Sequence, residues 1–535
     1  ETSPGELSRR IPSPSILCTM RNLLAFLRRI PNAVVYGDGD VMMIDVTADS
    51  RTVRPGYAFV AIRGTAHDGH VKIAEAVQAG AVAIIGEIAR PEEVLESSPH
   101  VTYVQVPDSR LAYARMVHAL HDSSTRGLRL FGVTGTNGKT TVATILRGLE
   151  TALGRETGFI GTTGIEYDGV HLDATHTTPD VRRLLELLSD MKARRVDTVC
   201  MEVSSHALHQ HRVEGLVFAG AIFTNLTRDH LDYHGTMDEY ARAKKMLFDG
   251  LSPESIAVLN GDDGWADFIK SDCKARKVLT VGIDDENSVV IEDVVLSAHG
   301  SEFTLCFPAV KRGDAPRDLH IRTPLLGSFN VMNVALCVTM AVAHGASYDV
   351  VQRAITTVQG PPGRMERYPL MNGATAVVDY AHTPDALRVA LATLQELLPA
   401  NGKLTVVFGC GGDRDAGKRG EMGAIAAEGA DTIMITNDNP RTESPEVIAD
   451  AILQGVKGAK QTRYTQVSVE LDRRQAIRSA LEQAHRGDIV LIAGKGHETY
   501  QIIGTERLPF RDVEEIARWN AERRTNGINE KPATS

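Results

Sequence analysis

The sequence LFGVTGTNGKTT, residues 130–141, decides the fold of the region around it. The apolar run over 128–133 predicts a buried strand, and the pattern from Thr140 to Leu149 predicts a helix. The glycine-rich turn between them lets backbone N–H groups close around phosphate oxygens at the N-terminus of that helix. Lys139 would then reach the β- and γ-phosphates, and the Thr140 hydroxyl would bind Mg²⁺. The segment therefore predicts a binding site for a nucleoside triphosphate.

The spacing of this loop departs from the strict pattern GxxxxGK[ST]. Val133 stands where that pattern has a glycine, and the glycines of this chain lie at 132, 135 and 138. The alternative is a glycine-rich turn between a strand and a helix that carries Lys139 and Thr140 by chance. A strand before the turn and a helix after it are the context that a phosphate loop requires, so they favour the nucleotide interpretation.

Length and composition exclude several classes of protein. The 535 residues predict three or four domains, and the net charge of −10 without a basic block argues against nucleic acid or a membrane surface as the main partner. The six cysteines form no CxxC pair, which predicts reduced thiols in a cytoplasmic protein and no structural zinc site. No run of about 18 apolar residues occurs, so we expect no membrane span.

The chain is predicted to be an α/β protein of three domains. Residues 1–19 begin without methionine and lack the apolar segment of a secretory signal, and they are interpreted as an extension or a cloning remnant. A small α/β domain is expected over 20–108, and a larger α/β array over 109–360. The sequence PPG marks a linker into a Rossmann-like domain over 361–535. Its predicted strands lie at 375–379, 404–408, 432–436 and 488–493.

Charged side chains follow two strands of the predicted central domain. Glu202 ends the strand over 198–203, where it could hold Mg²⁺ opposite Thr140, and the alternative is a rim carboxylate. The segment NLTRDHLDYH, 225–234, combines oxygen ligands with two imidazoles. Its HxxxH spacing allows zinc, but no third ligand lies nearby, so magnesium beside a nucleotide is preferred. The lysines of the following helix, 240–248, are expected to form a solvated face.

Three strand ends of the predicted third domain carry charged or glycine-rich loops. These are GCGGDRD at 409–415, TNDNPR at 436–441 and GKGHE at 494–498. Arg414 and Arg441 could form a carboxylate clamp, because guanidinium groups bind carboxylates in a bidentate manner. Glu498 could then take a substrate ammonium. Each of these residues alone could be a surface charge, and their shared topological position favours a site.

Together these segments resemble the Mur ligases, ATP-dependent amide-forming enzymes of peptidoglycan precursor synthesis. The resemblance covers about residues 20 to 525. The motifs that carry it are GTNGKTT at 135–141, EVSSHAL at 202–208, NLTRDHLDYHG at 225–235, DYAHTPDAL at 379–387, GCGGDRD at 409–415, DNPR at 438–441 and GKGHE at 494–498. It implies a small N-terminal UDP-binding α/β domain, a central P-loop ATPase-like domain and a C-terminal Rossmann-like domain that binds an amino acid.

The resemblance also implies site residues. For ATP they are Gly135, Thr136, Asn137, Gly138, Lys139, Thr140, Thr141, Asn330, Asn333, Arg364, Asp379 and His382. For the UDP-muramoyl precursor they are Ser50, Thr65, Ala66, His67, Thr177, Thr178, Ser204, Gln210 and Arg212. For the incoming amino acid they are Arg414, Asp438, Asn439, Pro440, Arg441, Gly494 and Glu498. The implied Mg²⁺ ligands are Thr140, Glu202, His230 and Lys244 in a form carbamylated by CO₂. The implied catalytic residues are Lys139, Lys244, Glu202 and His230.

The activity that follows from the resemblance is addition of meso-diaminopimelate to UDP-N-acetylmuramoyl-L-alanyl-D-glutamate through an acyl phosphate. The DNPR sequence carries the choice of diaminopimelate. Only small molecules are expected as partners, and the protein is expected to be a monomer. The alternatives are a lysine-adding or D-alanyl-D-alanine-adding relative, a folylpolyglutamate synthase, a P-loop ATPase without ligase activity, and a non-catalytic uridine-nucleotide module.

Overall fold

The computed structural model describes residues 20–28, 30–64, 67–121, 125–297, 299–309, 316–460, 463 and 466–529. The predictions made for residues 1–19, Thr65 and Ala66 lie outside these described residues. The described chain divides into two compact units. The N-terminal unit contains the residues up to Gly127 with Pro179–Ala193 and His206–Val217. The main unit contains Leu128–Thr178, Arg194–Ser205 and the residues from Phe218 onward.

The described part of the N-terminal unit is built on a five-stranded sheet. The order of its strands is Val34–Tyr36, Thr102–Gln105, Ala83–Gly86, Tyr57–Val60 and Asp45–Thr47. All neighbours are parallel except the first pair. The buried runs on the inner strands are apolar on both faces, as expected for a parallel sheet covered by helices. The helices and 3₁₀ turns are Leu23–Leu27, Ser50–Thr52, Gly69–Lys72, Ile73–Gln78, Glu92–Leu95, Ser109–Leu120 and Val181–Ala193.

The helix Ser109–Leu120 belongs to this N-terminal unit. Asp108 caps it by accepting a hydrogen bond from the Leu111 backbone N–H at 2.8 Å. Arg182, on the helix Val181–Ala193, donates to Asp45 at 2.7 Å, so this helix is attached to the edge strand of the same sheet. The sequence-based domain boundaries stay predictions.

The central part of the main unit contains an eleven-stranded sheet within the described residues. Its strand order is Val170–Leu172, Gly164–Tyr167, Thr157–Gly161, Thr198–Glu202, Arg129–Thr134, Phe218–Phe223, Ile256–Asn260, Lys277–Gly282, Val289–Ser297, Gly300–Phe307 and Arg317–Thr323. The strands from Thr157–Gly161 to Val289–Ser297 are parallel, and the outer pairs are antiparallel. The strand before the phosphate loop therefore lies between two parallel neighbours, whose carboxyl ends meet at the same edge.

A large apolar core packs two helices against this sheet. Lys139–Ala152 buries Val142, Ile145 and Leu149, and Ser328–Ala343 is buried along most of its length. The remaining helices of this region are Leu231–His234, Met237–Asp249, Ala266–Lys270 and Tyr348–Ile355, and the helix Ser205–His209 belongs to the N-terminal unit from His206 onward.

The C-terminal part of the main unit contains a six-stranded sheet among its described residues. The order is Glu366–Pro369, Thr375–Asp379, Ile489–Ala493, Leu404–Phe408, Thr432–Ile435 and Gln466–Val469, with all pairs parallel except the first. The helices are Pro384–Glu396, Gly417–Gly429, Pro445–Gly458, Arg473–Gln483 and Asp512–Asn529. Three neighbouring strands end at one edge, and their loops are the three charged loops identified in the sequence.

Two small antiparallel pairs complete the described structure. They join Arg21–Asn22 to Met42–Met43 and Tyr500–Ile503 to Glu506–Pro509. Within the described residues, no helix is both long and apolar enough to cross a membrane.

Candidate active site

The phosphate loop, residues 135–141, has the backbone that its glycines permit. Gly135 and Gly138 have φ angles of +152° and +85°, which L side chains rarely adopt. A Cβ on Gly135 would lie 1.9 Å from Thr224 Oγ1, and one on Gly138 would lie 2.9 Å from Asn333 Oδ1. Because these two residues have no side chain, the loop packs closely against Thr224 and Asn333. Its backbone N–H groups then lie at the N-terminus of the helix Lys139–Ala152.

The loop that follows the strand Phe218–Phe223 braces the phosphate loop. The Thr136 N–H donates to the Asn225 carbonyl at 2.8 Å, and the Asn137 N–H donates to Asn225 Oδ1 at 2.9 Å. Thr224 Oγ1 donates to the Asn137 carbonyl at 2.6 Å. The NLTRDH segment thus holds the phosphate loop through both backbone and side-chain contacts.

Two lysines converge on one carbonyl of the phosphate loop. Lys139 Nζ donates to the Gly135 and Thr136 carbonyls at 3.0 and 2.8 Å, and Lys244 Nζ donates to the Gly135 carbonyl at 2.6 Å. Burial lowers the pKa of both ammonium groups, and the charge of Lys139 lowers the pKa of Lys244 further. Lys244 Nζ also lies 4.4 Å from the centre of the Tyr240 ring.

The expectation that the lysines of this helix form a solvated face is wrong. Lys244 is 1% exposed and Lys245 is 7% exposed. Lys245 pairs with Asp249 and Asp272 at 2.5 and 2.8 Å, whereas Lys244 points to the phosphate loop. Helical periodicity alone cannot reveal that the face receives its polar partners from another segment of the chain.

A cavity of about 190 Å³ gathers most of the predicted nucleotide and metal residues. Thr162, Ser205 and Tyr240 line it as well, although the sequence did not point to them. The predicted residues that line it are Thr136, Asn137, Gly138, Lys139, Thr140, Thr141, Thr177, Glu202, Ser204, His230, Lys244 and Arg364. Residues far apart in sequence, from the central and the C-terminal parts of the main unit, therefore share one cavity.

The predicted metal ligands fit magnesium only in part as they stand. Glu202 is buried, and its Oε1 accepts a hydrogen bond from the Thr162 N–H at 2.8 Å. Glu202 and the Thr140 hydroxyl are hard oxygen donors, the type that Mg²⁺ prefers. An unmodified Lys244 offers no such oxygen, whereas a carbamate would. No group of three or more His, Cys, Asp or Glu side chains in the described residues is arranged to hold a metal ion.

The two histidines of the HxxxH segment have different environments. His230 has a left-handed backbone with φ +53°, lines the cavity, and lies 3.5 Å from Asp229. His234 is buried, and its Nε2 hydrogen-bonds Ser205 Oγ at 3.0 Å. The zinc alternative requires His234 as a metal ligand, but the Nε2 atom of His234 hydrogen-bonds Ser205 instead.

The other predicted nucleotide residues lie outside this cavity lining. Asn333 Nδ2 donates to Asn330 Oδ1 at 3.0 Å, and Asn333 abuts Gly138. Asp379 accepts from the Met365 and Ala381 N–H groups at 2.7 and 2.8 Å, and burial raises the pKa of its carboxyl.

Two aromatic rings, tilted to each other, lie beside Arg364. The Arg364 guanidinium is 5.1 Å from the Tyr380 ring centre, and the ring of His382 is 4.5 Å from the same ring. Because Asp379 hydrogen-bonds the N–H that follows Arg364, it holds the loop that presents this guanidinium to the cavity.

The predicted carboxylate clamp lies on two loops that hydrogen-bond to each other. A Cβ on Gly411 would lie 2.9 Å from Arg441 Nη1 and 3.8 Å from Arg414 Cγ, so both side chains flank this glycine. Arg441 Nη1 donates to the Gly412 carbonyl at 2.8 Å, and Arg414 is exposed. The Thr442 hydroxyl donates to Asp413 at 2.9 Å.

Two residues that the sequence did not indicate stabilise this pair of loops. Glu443 accepts hydrogen bonds from the Asp413 N–H at 2.5 Å and from Arg419 Nη2 at 2.9 Å. Arg419 is buried, and Pro440 accepts from the Glu443 N–H at 3.2 Å. The sequence carried no signal for these two residues, because only the structure shows that Arg419 is buried and that its charge therefore needs a partner.

The third loop, GKGHE, contacts the DNPR segment. Asn439 Nδ2 donates to Glu498 Oε2 at 3.0 Å, and a Cβ on Gly494 would lie 2.5 Å from Asp438 Oδ2. All the predicted amino-acid-binding residues therefore occur on three loops at one edge of the C-terminal sheet, and Lys495 lies among them.

A larger cavity, of about 690 Å³, lies within the N-terminal unit. Two predicted precursor residues, Gln210 and Arg212, line it, and Arg212 Nη2 donates to Gln210 Oε1 at 2.8 Å. The lining residues that the sequence did not indicate include Asp45, Arg54, Tyr57, Arg110, Tyr113 and Arg182. Their signal in sequence is weak, because isolated arginines and tyrosines on separate elements form no motif.

The remaining precursor predictions are distributed over both units. In the N-terminal unit, Ser50 Oγ donates to Glu75 Oε1 at 3.0 Å, and His67 is exposed. In the main unit, Thr178 Oγ1 donates to the Glu202 carbonyl at 2.9 Å and accepts from the Ser204 N–H at 3.1 Å. Thr177 accepts a hydrogen bond from Thr162 Oγ1 at 3.1 Å.

A phosphate loop, a buried lysine beside it and a second Rossmann-like sheet with charged loops define a nucleotide-dependent ligase of several domains. Family models match three segments: "Mur ligase family, catalytic domain" over 45–124, "Mur ligase middle domain" over 133–341 and "Mur ligase, glutamate ligase domain" over 363–496. The chain belongs to the Mur ligase family.

The relatives carry a more specific name. The chain is 43% identical over 488 residues to the UDP-N-acetylmuramoyl-L-alanyl-D-glutamate–2,6-diaminopimelate ligase of Chlorobaculum tepidum, covering 89% of this chain and 92% of the relative. It is 41% identical over 496 residues to the ligase of the same name from Geobacillus kaustophilus, covering 92% and 97%.

Solved structures agree with these sequence matches. A structure of a UDP-N-acetylmuramoyl-L-alanyl-D-glutamate–2,6-diaminopimelate ligase matches with a TM-score of 0.70 and 33% identity, over 95% of this chain and 100% of the other. A D-alanyl-D-alanyl ligase from Acinetobacter baumannii matches with a TM-score of 0.54 and 19% identity, over 90% and 96%, which shows the fold alone. The predictions of the family, the α/β fold and a ligase are confirmed.

Proposed function

We propose that the chain is an ATP-dependent ligase that adds meso-diaminopimelate to UDP-N-acetylmuramoyl-L-alanyl-D-glutamate in peptidoglycan precursor synthesis. The observation that carries this proposal is the 190 Å³ cavity, which the phosphate loop shares with Glu202, Lys244 and Arg364. Relatives that align over about nine-tenths of the chain bear the name of that activity. A cytoplasmic location and a monomeric state stay predictions.

The ATP triphosphate would lie over the phosphate loop. The N–H groups at the start of the helix Lys139–Ala152 would bind its oxygens, and Lys139 would release the Gly135 and Thr136 carbonyls to reach the γ-phosphate. Arg364 lines the same cavity from the C-terminal side and would bind the phosphates too. The other predicted ATP-binding residues would contact the nucleotide outside this cavity; they are Asn330, Asn333, Asp379 and His382.

Lys244 is suited to carbamylation. Only an unprotonated amine attacks CO₂, and burial lowers the pKa of Lys244 well below its ordinary range. The neutral Nζ amine would form a bond to the carbon of CO₂ as one C–O π bond opens, one proton would leave the nitrogen, and the product would be an anionic carbamate with oxygen donors. Thr140, Glu202, His230 and the carbamate would then hold magnesium, which neutralises the phosphate charge during transfer.

The reaction would pass through an acyl phosphate. The γ-phosphoryl group would transfer from ATP to the D-glutamyl carboxylate as ADP leaves. The neutral diaminopimelate amine would then attack the acyl carbon, a proton would leave the nitrogen, and phosphate would depart. The contribution of the protein is positioning and charge neutralisation, because the acyl phosphate is itself reactive. Lys139 and Arg364 would offset the repulsion between the phosphates and the attacking carboxylate.

The two other substrates would use the other charged surfaces. The 690 Å³ cavity of the N-terminal unit, with Arg54, Arg110 and Arg212 in its lining, suits a nucleoside diphosphate. Arg414 and Arg441 would bind the distal carboxylate of diaminopimelate, and Glu498 its distal ammonium. Lysine lacks that carboxylate and would leave the arginines without an anion, so the site would reject it.

Phosphate release tests the proposal. The purified protein is incubated with ATP, Mg²⁺ and UDP-N-acetylmuramoyl-L-alanyl-D-glutamate, and meso-diaminopimelate, L-lysine, D-alanyl-D-alanine or no amino acid is added. We expect turnover with diaminopimelate and at least a hundredfold less with L-lysine. Preference for another amino acid would support a related ligase. Release that is independent of any amino acid would support an ATPase, and either result would contradict the proposal.

A further inference from the structure

A buried lysine lies among the loops at the edge of the C-terminal sheet. Lys495 is 0% exposed, although lysine is rarely buried without a partner. Its Nζ donates to Glu498 Oε2 at 2.9 Å and to Asn439 Oδ1 at 3.2 Å, and it lies 4.0 Å from Asp438 Oδ1. One ammonium therefore contacts residues of both DNPR and GKGHE.

These contacts close a triangle of hydrogen bonds. Lys495 donates to both Glu498 and Asn439, and Asn439 Nδ2 donates to the same Glu498 oxygen at 3.0 Å. Asn439 Oδ1 also accepts from the Ile502 N–H at 2.9 Å, which ties the amide to the following strand. The orientation of the Glu498 carboxylate is thus determined by two donors on Oε2. Both of these donors bind Oε2, and neither binds Oε1 of Glu498.

Lys495 also acts on the charge of its neighbours. Burial raises the pKa of Asp438, and the charge of Lys495 opposes that rise. The charge of Arg473 opposes that rise as well, and Arg473 also forms a buried bidentate pair with Asp512 at 2.7 and 2.8 Å. Lys495 is therefore the cation that donates a hydrogen bond to Glu498 and lies 4.0 Å from Asp438, and an oriented carboxylate is a strong acceptor for a substrate ammonium.

We propose that Lys495 is a positioning residue that sets the selectivity of the ligase for an amino acid with a distal ammonium. It holds Oε2 of Glu498 and so leaves Oε1 as the acceptor for that ammonium. The inference rests on the proposed function, since it concerns the amino-acid site of that reaction. Lys495 itself does not touch the substrate; it acts through Glu498 and Asn439.

The test compares two substrates that differ only in the distal amine. L-2-Aminopimelate keeps the attacking amine and the distal carboxylate of meso-diaminopimelate and lacks the distal ammonium. The measured quantity is the ratio of kcat/KM for diaminopimelate to that for aminopimelate, obtained from phosphate release. We expect Lys495→Met to lower this ratio about tenfold or more. Without Lys495, the Glu498 carboxylate loses its orientation, and its charge-assisted hydrogen bond to the distal ammonium of diaminopimelate is lost. The KM values for ATP and the UDP-dipeptide should change less than about twofold.

A second variant keeps the test decisive if Lys495→Met does not fold. The double variant Lys495→Met with Glu498→Gln removes both charges of the pair, and such paired replacements are tolerated better than a single one. If Lys495 acts through Glu498, this double variant has the same substrate ratio as Glu498→Gln alone, within about twofold. Arg129→Met, which removes a cation from the buried Glu150 at the far end of the phosphate-loop strand, is the matched control and should leave the ratio unchanged.

The outcomes separate the two proposals. Equal losses of kcat/KM for both substrates in Lys495→Met, or a double variant whose substrate ratio differs from that of Glu498→Gln by more than about twofold, would overturn the role of Lys495 and leave the ligase function intact. A wild-type protein without turnover on diaminopimelate would overturn the function and the inference together.

Discussion

Lys139→Met removes the charge that we expect to matter most for phosphoryl transfer. The Lys139 ammonium contacts the Gly135 and Thr136 carbonyls at 3.0 and 2.8 Å, inside a cavity from which a bound triphosphate would exclude water. Two unit charges about 4 Å apart interact by about 4 kcal/mol at an effective dielectric constant of about 20. Loss of that interaction in the transition state corresponds to about a thousandfold in kcat.

The assay is phosphate release at saturating ATP, UDP-dipeptide and diaminopimelate. Lys270→Met is the matched control, because Lys270 forms a surface pair with Asp267 at 2.7 Å and should change kcat less than about twofold. Circular dichroism and melting temperature check that both variants fold. If Lys139→Met retained a kcat within about tenfold of the wild type, the assignment of Lys139 to the transferring phosphate would be refuted.

Three further predictions concern other parts of the molecule. Arg441→Ala should lower kcat/KM for diaminopimelate by about a hundredfold with little change in KM for ATP, and equal losses in both would argue against the clamp. Lys244→Met should lose turnover, and bicarbonate should raise the rate of CO₂-depleted wild type but not of this variant. Burial lowers the pKa of His344 to about 4. Since only the unfolded state takes up the proton between about pH 6.5 and 4, acidification over that range should destabilise the wild type by about 2 to 3 kcal/mol. His344→Phe should flatten the dependence of melting temperature on pH, and an unchanged slope would contradict this account.

Strand and helix patterns predicted the elements of the core well. The strand predicted over 375–379 is Thr375–Asp379, and the one over 404–408 is Leu404–Phe408. Apolar runs bounded by glycine and polar residues are reliable because a buried parallel strand needs both faces apolar. The helix Pro384–Glu396 begins where such signals place a helix start, since the Thr383 hydroxyl accepts from the Ala386 N–H at 3.3 Å and Pro384 stands in the first turn. The order of the eleven strands was beyond such patterns, because strand neighbours depend on pairing between distant segments.

The candidate site divides in a similar way. Motifs located the phosphate loop and the three loops of the C-terminal sheet, because each follows a strand and carries its chemistry within a few consecutive residues. Residues that act through distant contacts carried no such signal. The helical pattern around Lys244 predicted a solvated lysine, and Lys495 stood inside a recognised motif without an assigned role. Both side chains are buried.

The amino-acid sequence by itself determined which segments are strands, which turns can hold phosphate and which family the chain resembles, since these follow from residue types close together along the chain. Only the tertiary structure decided which charges are buried and which partners they have. The reason is physical: desolvation and hydrogen bonding depend on what surrounds a side chain in space. Lys244 Nζ lies 2.6 Å from the Gly135 carbonyl although 109 residues separate them.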